Sequence, residues 1–263
     1  MKIGFIGGGQ MAQAMISGLL SANPDQVINI HGGSARTQTY AQAHGLNYLP
    51  TNQQVASESD VIILACLPQH LPTVASEIKA VLTKQVVISV LGGVSLATLN
   101  AALGTTVAIS RVLPNTPVNV NAGTLAYIHN APLMAQPASQ TQVEDLLKQL
   151  GATYLVAETQ FSIFSALAGS SPAFIDLFID AMAQAGVKYG LPKDQAVAIV
   201  TQTMLGTALQ VQSSTQTPRE LAAAVASPGG STIAGFLAME EYGLPTAIVK
   251  GIDATVAKDQ AVD

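Results

Sequence analysis

Along the first half of the chain, short β-rich runs alternate with stretches of helical spacing. Residues 2–6, 27–31, 61–65, 86–90 and 107–112 are rich in Ile and Val and bounded by turn residues, so they read as strands. Residues 11–20, 35–44, 68–82 and 96–103 lie between them and read as helices. Such alternation implies parallel strands joined by right-handed crossovers, hence an α/β, doubly wound parallel sheet. Residues 124–128 and 153–156 add further strands, with a helix near 140–150 between them.

After about residue 157 the rhythm changes, and helical patterns run to the end. In residues 172–189, Asp176, Asp180, Gln184 and Lys188 form one polar stripe at spacing four, while Phe174, Ile175, Leu177, Phe178, Ile179, Met182 and Val187 occupy the other sides. A helix apolar on most faces needs cover on most faces. That cover is either a second subunit or the rest of its own domain. No repeat and no low-complexity segment marks a linker, so the expected domains are 1–157, an α/β domain, and 158–263, an all-helical one.

Composition sharpens this picture. With 49% apolar and 10% charged residues, burial beyond an ordinary core is expected, including at a subunit interface. A net charge of −5 with scattered Lys and Arg argues against a nucleic-acid partner. Cys66 is the single cysteine, which excludes an internal disulfide or a thiolate metal cluster and suits a cytoplasmic protein. The apolar opening is interrupted by Gly7, Gly8, Gly9 and Gln10, so it reads as strand, turn and helix rather than a secretion signal. The run from Val61 to Leu67 is far short of the ~20 residues a membrane span needs, and no membrane partner is expected.

The first chemical motif is Gly7-Gly8-Gly9-Gln10-Met11-Ala12, a G-x-G-x-x-A sequence between a strand and a helix. Gly7 permits the tight turn, Gly9 lets backbone approach a pyrophosphate, and Ala12 allows close helix–strand packing. Gln10 and Met11 open the helix whose N-terminus would face the phosphates. This makes the sheet Rossmann-type and Gly7, Gly9, Gln10 and Met11 cofactor-binding candidates. The second strand is followed by Gly32-Gly33-Ser34-Ala35-Arg36, with no carboxylate to bind ribose hydroxyls. Ser34 and Arg36 suit a 2′-phosphate, so NADPH is the expected cofactor, with NADH still open. A second glycine-rich turn, Ser227-Pro228-Gly229-Gly230-Ser231-Thr232, precedes a helix and offers N–H and hydroxyl donors to a carboxylate. On these residues alone, a simple interhelical turn fits as well.

The segment from Ala226 to Gly235, ASPGGSTIAG, closely resembles the C-terminal signature of pyrroline-5-carboxylate reductases. Gly4–Ala12, the Arg111-Val112-Leu113-Pro114-Asn115-Thr116-Pro117 stretch and the Ala166–Phe174 stretch agree with that family in order, as does the helix end Ala185–Pro192. The resemblance covers almost the whole chain. It implies an all-helical C-terminal dimerisation domain, a homodimer or higher assembly of dimers, and NADPH-dependent reduction of a small cyclic imino acid to proline. It further implies that Gly230, Ser231 and Thr232 hold the substrate carboxylate, with Thr232 as the catalytic residue near the ring nitrogen. Glu158 matches a substrate-site carboxylate, though by itself it equally reads as a solvated helix start. Ser34, Asn52, Cys66, Leu67 and Gly92 fall at cofactor-lining positions. Asn115 either lies near the nicotinamide or caps its turn.

The chain departs from the family pattern at Leu67, where a lysine is usual, at Leu91, Ser171 and Phe174, and at Ala222-Ala223, where a Lys-Asp pair is usual. Those departures keep two rivals open: an imine reductase with another substrate, and an NADP-binding regulator without turnover. Imine reduction needs a hydride on carbon and a proton on nitrogen, and a protonated imine is electrophilic enough to do without a strong general acid. No Lys or Arg occurs between Lys148 and Lys188, which removes the proton donor expected of a β-hydroxyacid dehydrogenase. His31, His44, His70 and His129 read as surface or structural residues, Tyr127, Tyr154 and Tyr242 as packing residues, and no metal site is expected.

Overall fold

A computed structural model describes residues 1–261. Its strands are β1 Lys2–Ile6, β2 Val27–His31, β3 Asn47–Tyr48, β4 Val61–Leu64, β5 Val86–Ser89, β6 Ala108–Leu113, β7 Gly123–His129 and β8 Gly151–Leu155. They form one eight-stranded sheet in the order β3-β2-β1-β4-β5-β6-β7-β8. The helices of this part are α1 Gln10–Ala22, α2 Ala35–Ala43, α3 Asn52–Ser57, α4 Leu71–Ile78, α5 Leu96–Leu103, α6 Ala131–Met134 and α7 Pro137–Lys148.

Strands β1 to β6 are mutually parallel, five of them as expected with β3 in addition, but β7 runs antiparallel to β6 and β8 then follows β7 in parallel. The all-parallel expectation fails there because residues 114–122 are too few for a crossover, which needs about a dozen or more. The link is instead a single 3-10 turn, Thr116–Val120, ending at Asn121 in the left-handed region with φ 57°. Asparagine tolerates that conformation. Its amide also donates to Gly18 O at 2.8 Å and Gln149 O at 2.7 Å, tying the turn to α1 and α7.

The core lies on both faces of the sheet. Every residue of β4 and β5 is buried, which is why these strands read as unbroken apolar runs rather than alternating ones. One face packs Ile3, Phe5 and Ile63 against Met15, Ile16 and Leu19 of α1. The other packs Ile62 and Leu64 against Leu71, Val74 and Ile78 of α4 and Leu99 of α5. The spacings in α1 and α4 put their apolar residues on one stripe. The expected helix over 68–82 is broken at both ends, with 3-10 turns at Pro68–His70 and Lys79–Val81 flanking α4.

By compactness the chain divides into Met1–Ser170, joined by the chain end from Val256, and Ser171–Thr255. The change of rhythm at 157/158 therefore precedes the compact boundary, because the first helical turns after it are built onto the sheet. Phe161, Ala166 and Ala168 are buried there. This segment comprises α8, Phe161–Phe164, and a π-helical turn, Ser165–Ser170.

The second part contains α9 Ser171–Lys188, α10 Lys193–Ser213, α11 Pro218–Val225 and α12 Ser231–Glu241; α13, Leu244–Gln260, ends the described chain. Gly190, at φ 96°, closes α9 with a left-handed residue. Asp180 of the polar stripe accepts from Lys193 Nζ and from Gln184, and these bonds, Lys193's foremost, hold its carboxyl below the usual range. Among the described residues, apolar side chains of α9 stay exposed: Leu177 is 69% exposed and Ile175 49%.

Candidate active site

At the carboxyl edge of the sheet, the ends of β1, β2 and β4 surround a cavity of about 740 Å³. The loop Gly7–Gly9 forms its floor. Gly7 has φ 106°, and a Cβ there would stand 2.5 Å from Ala65 O, so this position accepts no side chain. Its N–H donates to His31 O at 2.8 Å, and Gln13 Nε2 reaches back to Gly8 O at 2.9 Å, which together fix the loop. Gly9 is the N-cap of α1 but offers no side-chain cap, and nothing lies within 4 Å of where its Cβ would be. The first turn of α1 thus presents N–H groups and its partial positive charge to open space, which fits a diphosphate.

Gln10, Ser34, Arg36, Asn52, Cys66 and Leu67 line the same cavity. Ser34 caps α2, its Oγ accepting from Arg36 N at 3.2 Å, which leaves the hydroxyl hydrogen for a ligand. Arg36 makes no ion pair among the described residues. A hydroxyl donor and an unengaged guanidinium after β2, with no carboxylate, fit a phosphorylated ribose. Asn52 Nδ2 donates to Glu77 Oε2 at 2.7 Å. Burial pushes the Cys66 thiol up, outweighing a backbone hydrogen bond, so it stays a neutral wall group. Leu67 is exposed.

Three cofactor candidates lie outside this cavity. Met11 sits in the first turn of α1 without lining it, and Gly92 occupies the turn after β5. Asn115 follows β6 and is buried, with Nδ2 donating to Ala168 O at 3.1 Å and Oδ1 accepting from Thr124 N at 2.8 Å. It is the first residue of its turn, yet its side chain ties β7 to the π-helical turn instead of capping. Gly92 and Asn115 do follow parallel strands, at the sheet edge where ligands of such folds bind.

Glu158 is held on the sheet part. Its Oε1 accepts from Arg111 Nη1 and from Leu96 N, both at 2.7 Å, and the guanidinium of Arg111 lies 4.2 Å above the Phe161 ring. Its Oε2 has no hydrogen-bond partner among the described residues. The substrate-loop candidates lie in the helical part. Gly229 has φ 68°, Gly230 N donates to Ser227 O at 3.0 Å, and Gly230 starts α12 without a side-chain cap. Ser231 and Thr232 are exposed on that bare first turn.

Sequence reasoning passed over several cavity residues. His31 and Glu77 line it, and so does Thr37, which is buried so closely that a Cβ on Gly8 would stand 2.4 Å from it. The signal for His31 was its place as the last residue of the second strand. His70, Thr73 and Glu77 sit one helical turn apart, which was also legible.

The sheet part matches, over residues 2–93, a family model described as NADP oxidoreductase coenzyme F420-dependent. With the uncapped α1 and the hydroxyl–guanidinium pair after β2, this makes the molecule an NADP-linked oxidoreductase. Residues 158–262 match the model for pyrroline-5-carboxylate reductase dimerisation. A pyrroline-5-carboxylate reductase from Escherichia coli K12 is 34% identical over 98% of this chain and 97% of its own, and one from Synechocystis is 33% identical over 99% and 97%. The chain belongs to the pyrroline-5-carboxylate reductase family. Among solved structures, the 1-pyrroline-5-carboxylate reductase of Streptococcus pyogenes superposes with a TM-score of 0.88 at 39% identity, covering 99% of this chain and 98% of that one. The Plasmodium falciparum pyrroline carboxylate reductase with NADP bound gives 0.90 at 30%, covering 100% and 98%.

Proposed function

We propose that the protein reduces 1-pyrroline-5-carboxylate to L-proline with NADPH. The observation that carries this is full-length similarity to reductases of that name, in a chain that keeps an uncapped helix start at both Gly9 and Gly230. NADPH, when bound, supplies the hydride that adds to the imine carbon. The N–H groups of α1 hold the diphosphate, while Ser34 and Arg36 take the 2′-phosphate. Asn52, Cys66 and Leu67 border the rest, and Gly92 and Asn115 stand further along the same sheet edge.

The N–H groups of Ser231 and Thr232, at the helix start that Gly230 opens, receive the substrate carboxylate together with the two hydroxyls. Thr232 aligns the ring nitrogen and relays one proton to it, so the C=N bond becomes C–H and N–H. Orientation supplies most of the acceleration, since the protonated imine is already activated. Glu158, whose Oε1 is bound by Arg111, keeps Oε2 for a ligand, and family likeness makes that ligand the substrate.

In this reading residues 1–157 bind the dinucleotide and residues 158–263 pair two chains as a homodimer, or as dimers assembled further, in the cytoplasm. The helical run Glu158–Lys188 is long and apolar enough to cross a membrane by length and composition. Its polar stripe and its match to a dimerisation model favour a protein partner over lipid. Purified protein mixed with NADPH and the cyclic imine should consume NADPH and yield proline. Tight NADPH binding with no turnover would reject the activity.

A further inference from the structure

Among the titratable groups of the cavity, His31 has no role so far. His31 is the last residue of β2 and lines the cavity with Ser34 and Arg36. In sheets of this kind that take the unphosphorylated dinucleotide, an acid at the end of this strand accepts from the ribose hydroxyls. A protonated imidazole at the same place donates instead.

The ring's orientation is set by its neighbours. His31 Nδ1 lies 2.8 Å from Leu49 O, and the ring is 5.8 Å from that of Tyr48. A carbonyl can only accept, so Nδ1 carries the hydrogen and the neutral ring keeps Nε2 as a bare acceptor. Nε2 has no hydrogen-bond partner among the described residues, and it is not sealed from solvent. The charged and titratable groups around it are Arg36 from α2, Tyr48 from β3, Cys66 after β4, and His70 and Glu77 beside and on α4. Glu77, the carboxylate of this set, is engaged by Asn52.

We propose that His31 reads the 2′-phosphate together with Ser34 and Arg36, and so couples the choice of NADPH over NADH to one proton. This rests on the reading that Ser34 and Arg36 receive that phosphate. A phosphate and a neutral Nε2 are both acceptors, so their contact needs a proton between them, on the imidazole or on the phosphate. NADH presents a hydroxyl at this place, which donates to neutral Nε2 without an added proton. The NADPH complex therefore keeps a proton that its free partners lose as pH rises. NADPH binding weakens toward alkaline pH, and NADH binding does not.

Replacing His31→Asn leaves an amide nitrogen near the Nδ1 position to bond Leu49 O, and deletes Nε2. Affinities for NADPH and NADH are read by nucleotide fluorescence from about pH 6 to 8.5, with adenosine 2′,5′-bisphosphate as a competing probe of the phosphate end. The wild-type protein should lose NADPH affinity about fivefold or more across this range while NADH affinity stays flat. In His31→Asn, NADPH affinity at the acid end should fall about tenfold and its loss with pH should vanish, while NADH, which gives up one neutral hydroxyl contact, falls by clearly less. His31→Gln, which restores a fixed donor, should regain part of the preference without the pH slope. A slope that persists in His31→Asn, or an equal loss of both nucleotides, overturns the assignment of His31. A Ser34→Ala/Arg36→Ala protein that keeps its full NADPH preference overturns the underlying phosphate site instead.

Discussion

The sheet part and the helical part are both rich in apolar residues, yet they spend them differently. Ile62, Ile63 and Leu64 of β4 are fully buried by their own chain. In the helical part Leu177, Leu205, Leu209 and Leu237 are all more than half exposed. Hydrophobic burial is the main favourable term in folding, so the first region carries its own stability. The second leaves large apolar side chains exposed, and it is the part that matches a dimerisation model.

Breaking the self-contained region should have the largest effect. Ile63→Ala leaves a cavity between sheet and α1, and about 3–4 kcal/mol of stability should be lost in denaturant unfolding. Gly18→Ala is next, because a Cβ there would stand 2.1 Å from Val118 O; about 2 kcal/mol of overpacking strain is expected from the same measurement. Leu177→Asp should leave the sheet part and its NADPH affinity intact while weakening self-association about a hundredfold in sedimentation, as expected for a central interface residue. An unchanged association would mean that α9 is covered some other way.

Smaller effects come from buried polar groups. Arg111→Met removes the partner behind Glu158, whose side chain is 35% exposed, so screening limits the loss to about 1–2 kcal/mol. The substrate KM should rise more than the NADPH affinity falls. The smallest effect is that of pH on His129. Its Nε2 is buried without a hydrogen bond, 3.8 Å from Glu144. Burial lowers its pKa below the ordinary 6.5, outweighing the opposing pull of Glu144. The fold therefore favours the neutral ring, so this contribution is complete above pH 6.5 and is lost as pH falls through the lower folded-state value. His129→Gln should flatten the melting temperature against pH on the acid side.

Much of the sheet was legible because β-branched runs stood between clear turn residues, and β1 and β2 match their expected limits. The reversal at β7 was not, since strand direction depends on the link and not on the strand's own pattern. The two-residue β3 has too little sequence for a period to show. Helix α3 did carry a signal, Thr51 accepting from Gln54 N at 3.1 Å in a T-x-x-Q pattern, but its polar residues hid it. In the site, the glycine loop announced itself through its place between strand and helix. The Arg111–Glu158 pair spans 47 positions, and no local pattern connects such residues. His31 escaped notice because a lone histidine is usually structural, and only the Leu49 bond reveals which nitrogen is free.

Two uncapped helix starts, one at Gly9 and one at Gly230, are the physical basis assigned here to cofactor and substrate binding. A crystal structure of the protein with NADP and proline tests this most directly. The diphosphate is expected against Gly9 and Gln10, the 2′-phosphate at Ser34 and Arg36, and the proline carboxylate at residues 230–232. Proline bound away from those residues would contradict it.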